Sequence, residues 1–291
     1  MEEKDVASQL AEHLLNVLMI SSIYVLAALG FALVFGVMRI MNFAHGAIYM
    51  VSGYVCYYFW VVLGFGPWAA LPMTMGVMAV FGLFLEKVCF RPFQGDFEKA
   101  TVMAIIFVIV LKTGADLTVG PFTKRLPSML QSVIALGDLR VDADRFVILI
   151  ICVVLLTLLT LFVQKSKIGQ SMLAIAEDKD AAGLQGIDIN RISAFAFAIG
   201  CSLAGLAGGV MGSVTVLNVG SADSILIRII AVVILSGIGT IGGIWTGGLI
   251  VGGLDAVCPY FLPGFASDLV GFGLIVIILV IRPKGFFGHE V

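Results

Sequence analysis

Apolar stretches of about 20 residues alternate with short polar ones along the chain, at 14–38, 42–63, 67–88, 100–119, 146–164, 191–213, 225–243, 245–261 and 264–282. A bilayer core takes about 20 mostly apolar helical residues, and a helix satisfies its own backbone groups in lipid. The pattern predicts an all-α polytopic membrane protein of about nine transmembrane helices, some of them broken or re-entrant. The count is softest across 225–261, where the second member is short and glycine-rich. The whole chain, 1–291, reads as one transmembrane domain with two larger polar interruptions, 120–145 and 165–190.

Composition sharpens this picture. Of 291 residues, 60% are hydrophobic and 12% charged, about half the charged share of a soluble domain. A soluble fold of this size has no place to bury that much apolar surface. The net charge of -2 says nothing about nucleic acid and no basic patch points to it, so no nucleic-acid partner is expected and the lipid bilayer is the first one. Cys56, Cys89, Cys152, Cys201 and Cys258 lie apart in or beside apolar runs and read as small core residues. The N-terminus is acidic and runs into a long apolar segment without a small-residue cleavage site, as a first span does.

Lys and Arg set the orientation. With nine spans, ten of these residues fall on one side and five on the other, four of the five within 120–145; Lys112 and Arg228 fall inside spans. This places the N-terminus outside, the C-terminus and 165–190 in the cytoplasm, and 120–145 outside.

Polar residues within apolar runs are the candidates for chemistry. Asn42 and His45 lie beside an apolar run, with Gly46 next to them, at the junction GVMRIMNFAHGAIYMVSGY, residues 36–54. They read either as a polar helix break facing cargo or as an interfacial turn with Asn42 capping the second helix. Lys112 and Asp116 share a helix face, and either line a cavity or snorkel to the surface. Arg228 either snorkels outward or meets a carboxylate in the pathway, and Asp223 or Ser224 caps its helix. Glu86 and Lys87 mark an interfacial exit that Pro92 closes. The glycines of Gly237-Ile-Gly239-Thr240-Ile-Gly242 fit a dinucleotide fingerprint, but both flanks are apolar spans, so helix packing and a tight turn account for them. No catalytic set or ATP-binding motif is present in the sequence, and the chain reads as a non-enzyme.

Gln164–Arg191 differs from the other polar stretches. Ser171 to Asp180 favours helix, with Met172, Ile175 and Ala176 on one face and Glu177, Asp178 and Lys179 toward water. Ala181 and Ala182 permit close docking, and Gly183 and Gly186 end the helix. Such a segment either docks a partner or lies on the bilayer.

AIAEDKDAAGLQGIDINR within this stretch resembles the cytoplasmic loop of permease subunits of branched-chain amino acid ABC importers. SIYVLAALGFALVFGVMRIMNFAHGAIYMVSGY at 22–54, EKVCFRPFQG at 86–95, ILSGIGTIGGIWTGG at 234–248 and IRPKGFFG at 281–288 follow in that family's order and carry the likeness along nearly the whole chain. Two positions depart: LQGID stands where an LMGI form is commoner, and Arg228 where a lysine is frequent.

The resemblance implies the ABC importer permease fold, with a coupling helix seated on an ATPase through Ala176, Glu177, Asp178, Ala181, Ala182, Gly186 and Ile187. It also implies a second homologous permease, two ATPase subunits and an extracytoplasmic substrate-binding protein. No cofactor is expected in this chain, since ATP and Mg belong to the ATPase subunits. The expected process is ATP-driven import of branched-chain or related amino acids by alternating access in a bacterial or archaeal cytoplasmic membrane. Asn42, His45, Thr240 and Arg228 are the translocation-pathway candidates. Alternatives are a permease for urea or short amides, an ion-coupled secondary carrier using Lys112–Asp116 or His45, and a membrane scaffold.

Overall fold

A computed structural model describes the chain apart from residues 1, 121, 131, 137–138, 238–242, 263–271, 274, 279, 283–284 and 288–291. The described residues are mainly helical: α1 (Glu2–Met38), α2 (His45–Tyr57), α3 (Pro67–Leu85), α4 (Phe97–Val119), α5 (Ala143–Lys165), α6 (Lys167–Glu177), α7 (Lys179–Leu184), α8 (Ile189–Val214), α9 (Ser221–Ser236) and α10 (Ile244–Phe261). Wider turns extend α2 to Val62 and α3 to Phe90. Six helices among the described residues are long and apolar enough to cross a bilayer.

The predicted spans 42–63 and 225–243 appear as the shorter α2 and α9, cut back by a non-helical segment at 39–44 and by the end of α9 at Ser236. Of the soft pair, α10 has spanning length with 18 residues, while α9 has 16. Much of the ninth predicted span, 264–282, lies outside the described residues, as does Thr240. The polar interruption 120–145 contains an antiparallel hairpin, β1 (Val133–Leu136) with β2 (Leu139–Asp142), which alternation over so few residues did not announce.

The chain divides into two compact units. One comprises 29–127 and 157–227. In it α8 packs against α2 and α3 through small residues, the usual solution in lipid, where close backbone approach replaces a hydrophobic driving force. A Cβ at Gly208 would lie 2.2 Å from Ser52 Oγ and 2.3 Å from the Tyr49 carbonyl oxygen. Ser52 Oγ donates to the carbonyls of Tyr49 (2.6 Å) and Ala204 (2.9 Å), tying α2 to α8. Just past the end of α3, Glu86 is fully buried within the chain. Arg91 donates to both of its carboxylate oxygens, at 3.0 and 2.7 Å, so the sequence around Pro92 encodes a closed ion pair.

The other unit comprises 1–28, 128–156 and 228–291. The loop before its hairpin is tied to the start of α5 by Asp144, whose carboxylate accepts the backbone N–H groups of Met129 (2.9 Å) and Leu130 (2.7 Å). In this unit α10 lies against α1: a Cβ at Gly252 would sit 2.5 Å from Ser21 Cα, and one at Gly248 would sit 2.1 Å from Val25 Cγ2. α10 also packs against α9 through Gly247, where a Cβ would meet the Val232 carbonyl oxygen at 2.4 Å.

Candidate functional site

The polar segment between α5 and α8 is built from two helices rather than the one predicted. Ser166 opens α6, its hydroxyl accepting the Gly169 N–H at 2.9 Å. Met172 and Ile175 are buried, as the amphipathic pattern required. The helix breaks at Asp178, whose backbone is extended (φ -146°, ψ 107°). Its carboxylate accepts the N–H groups of Asp180 and Ala181, both at 2.9 Å, and so caps α7. A short acidic side chain competes with the helix for backbone N–H groups, which favours caps over helix interiors.

α7 ends as deliberately as it begins. Gly186 is left-handed (φ +84°). Its N–H bonds to the Gly183 carbonyl at 3.0 Å, and the Ile187 N–H reaches back to Ala182 at 3.2 Å. This paired arrangement satisfies the last carbonyls of a helix. Gly183 lies inside α7, so Gly186 alone provides the stop.

The seven coupling candidates therefore divide by environment. Glu177, Asp178, Ala181 and Gly186 are exposed, Ala176 and Ile187 are partly exposed, and Ala182 is buried. Leu184, a residue not singled out from sequence, is 91% exposed at the tip of α7. Its signal was an isolated leucine inside a polar run, hidden by the expectation that Gly183 had already ended the helix.

Arg39 ties this segment to the helix break that follows α1. It is the non-glycine residue with a left-handed backbone (φ +56°) among the described residues, a conformation uncommon for such side chains. Its Nη2 donates to the Ala176 carbonyl at the end of α6. Three residues on, Asn42 is buried; its Oδ1 accepts the Ala44 N–H at 3.1 Å, and its backbone carbonyl accepts the His45 N–H at 3.0 Å. The residue preceding α2 is Ala44, so Asn42 shapes the turn rather than capping the helix. Asn42 Nδ2 is buried without a hydrogen-bond partner among the described residues. His45 is fully buried and stands edge-on to Phe31, ring centroids 5.8 Å apart.

Lys112 pairs with Asp223 at 2.6 Å, linking α4 to the first turn of α9. Asp223 therefore serves as a counter-ion, while Asn218 Oδ1 accepts the Ser221 N–H at 2.8 Å ahead of the helix. Arg228 does meet a carboxylate: its Nε pairs with Asp255 of α10. An apolar cavity of about 680 Å³ lies between α2 and α4, lined by Val51, Tyr54, Tyr58, Leu111, Gly114 and Thr118 among others. Asn42, His45 and Arg228 are not among its lining residues.

Apolar helices of spanning length, with a capped polar segment between two of them, define a multi-pass membrane protein. The family model for the branched-chain amino acid transport system permease component matches residues 13–279, and the chain belongs to that family. It is 31% identical over 293 residues to the high-affinity branched-chain amino acid transport system permease protein BraD of Pseudomonas aeruginosa, covering 96% of this chain and 95% of the relative. It is 29% identical over 297 residues to the permease protein LivH of the system of that name in Escherichia coli K12, covering 96% and 95%. It is 25% identical over 295 residues to the permease protein LivM of the same organism, covering 91% of this chain and 68% of the relative. No solved structure matches the chain. Membership of this family assigns the chain a transport role in the membrane, not a catalytic one.

Proposed function

We propose that the chain, acting as one permease domain over 1–291, is a membrane subunit of an ATP-driven importer of branched-chain or related amino acids. The observation that carries this reading furthest is the doubly capped α6–α7 segment, a polar rod outside the spans that turns Glu177, Ala181, Leu184 and Gly186 outward. It is the seat for a partner ATPase, on which ATP and Mg are held. Asp178 and Ala182 shape the seat from within, while Ala176 and Ile187 bound it. A second homologous permease completes the pathway, in keeping with the likeness to both LivH and LivM of one organism. Two ATPase subunits drive it and an extracytoplasmic binding protein delivers cargo. The N-terminus lies outside and the C-terminus in the cytoplasm, by the distribution of Lys and Arg.

Closure of the ATPase pair moves the seat, and the assembly alternates between outward and inward openings. Arg39 is the link in this chain for passing that movement to the break holding Asn42 and His45. Arg39→Ala is expected to leave ATP hydrolysis running while uptake per ATP falls several-fold. The check is uptake and phosphate release measured together on the reconstituted assembly; an unchanged ratio removes Arg39 from the coupling route. The function as a whole is tested by ATP-dependent amino acid uptake into proteoliposomes.

A further inference from the structure

Three polar side chains from three helices meet within the unit formed by 1–28, 128–156 and 228–291. Tyr24 of α1 lies fourteen residues from either end of its spanning segment, Leu10–Met38, which leaves about 21 Å of helix on each side. Its hydroxyl donates to Asp255 Oδ2 at 2.6 Å. The same oxygen pairs with Arg228 Nε from α9. The Arg228 guanidinium also stands 5.8 Å from the Phe272 ring.

Local packing brings these groups together. Gly248 and Gly252 let α10 lie against Val25 and Ser21 of α1, in opposite chain directions. Helical side chains slope toward the N-terminus of their own helix, so Tyr24 and Asp255 converge from the two sides of that contact. Ser21, one turn before Tyr24, is buried there with a hydroxyl that has no hydrogen-bond partner among the described residues.

A charged pair among apolar spanning helices is costly, and intramembrane ionisable residues that pair in this way mark substrate and ion pathways. This pair is also not sealed: the Arg228 and Asp255 side chains keep 17% and 21% exposure. Its net charge is zero. An entering inorganic ion would leave the site charged in low dielectric, at a high cost. A zwitterion would not, because its two charges can replace the internal pair with two external ones.

We propose that Arg228, Asp255 and Tyr24 form a site for the head group of a zwitterionic α-amino acid. Arg228 takes the carboxylate, Asp255 takes the ammonium, and the Tyr24 hydroxyl remains as a donor to the carboxylate it faces. The site stays neutral before, during and after passage. This assignment rests on the permease function proposed above and adds the chemistry by which the cargo is held.

The test uses the full chain assembled with its partner subunits in lipid nanodiscs and proteoliposomes. Replacing a buried ion pair by apolar residues of similar size is often neutral for stability, so a mere fastener survives Arg228→Met combined with Asp255→Leu. The double variant is expected to assemble and hydrolyse ATP while leucine uptake falls at least about tenfold. Uptake within twofold of wild type overturns the site. Should the variant not assemble, binding of labelled leucine to the wild-type assembly, without the binding protein, decides. Isoamylamine, 4-methylpentanoate and isobutyramide are expected to compete at least about tenfold less well than leucine. Equal competition by any of them, or no leucine binding, overturns the site. Wild-type assembly that takes up no branched-chain amino acid strikes the permease function itself, whereas normal wild-type uptake with an unaffected double variant strikes only this assignment.

Discussion

Leu184→Asp is expected to leave the chain folded in the membrane and to cut ATP-driven uptake at least about tenfold. Leu184 is 91% exposed, so its replacement removes almost no packing within the chain. Burying a leucine in a partner's apolar pocket is worth about 1.5–3 kcal/mol, which corresponds to roughly ten- to a hundredfold in affinity. A carboxylate placed there adds a desolvation cost of the same sign. Retention of the ATPase subunits during purification, measured beside uptake, checks this. A variant that keeps both its ATPase and its uptake shows that α7 does not dock through this residue. A variant that keeps its ATPase while the segment leaves the lipid surface identifies Leu184 as a bilayer contact instead.

Gly208→Val is expected to deplete the folded chain from the membrane, the largest stability effect among the small-residue contacts of α8. The new Cβ would meet the Tyr49 carbonyl oxygen at 2.3 Å, which belongs to backbone and cannot swing aside as a side chain does. It would also displace Ser52 Oγ from the Ala204 carbonyl. Overpacking costs about 1–3 kcal/mol and a buried hydroxyl stripped of its partner about 1–3 kcal/mol more, against a total stability of about 5–15 kcal/mol. Gly76 supplies the control. A Cβ there meets nothing within 4 Å, so Gly76→Ala should be neutral or stabilising by up to about 1 kcal/mol. Membrane levels and thermal unfolding of both variants report the difference; a well-folded Gly208→Val chain contradicts the packing derived for α2 and α8.

The helical spans were legible because bilayer thickness imposes a length on apolar runs, a constraint read directly from residues such as those of α5. The polar segment between α5 and α8 was legible from charge, and its buried face from the spacing of Met172 and Ile175. The break at Asp178 was not, because helix formers continue on both sides and only the cap geometry decides where one helix stops. The burial of Glu86 was not legible, because its partner Arg91 is brought to it by a turn that periodicity does not encode. Arg228 was singled out, but its carboxylate was not named. Asp255 is the acidic residue of an otherwise apolar run, 244–262, and that isolation was the available signal. Tyr24 carried none: a tyrosine among apolar residues becomes a partner only when glycines of α10 bring that helix against α1.

In the proposed importer, ATP held by partner chains moves an amino acid past this one. The decisive measurement is uptake of labelled leucine into proteoliposomes containing the full assembly and its binding protein, with no ion gradient imposed. ATP is expected to drive accumulation, and withholding either ATP or the ATPase subunits to abolish it. Accumulation by this chain alone, driven by an imposed ion gradient and indifferent to ATP, would contradict the account.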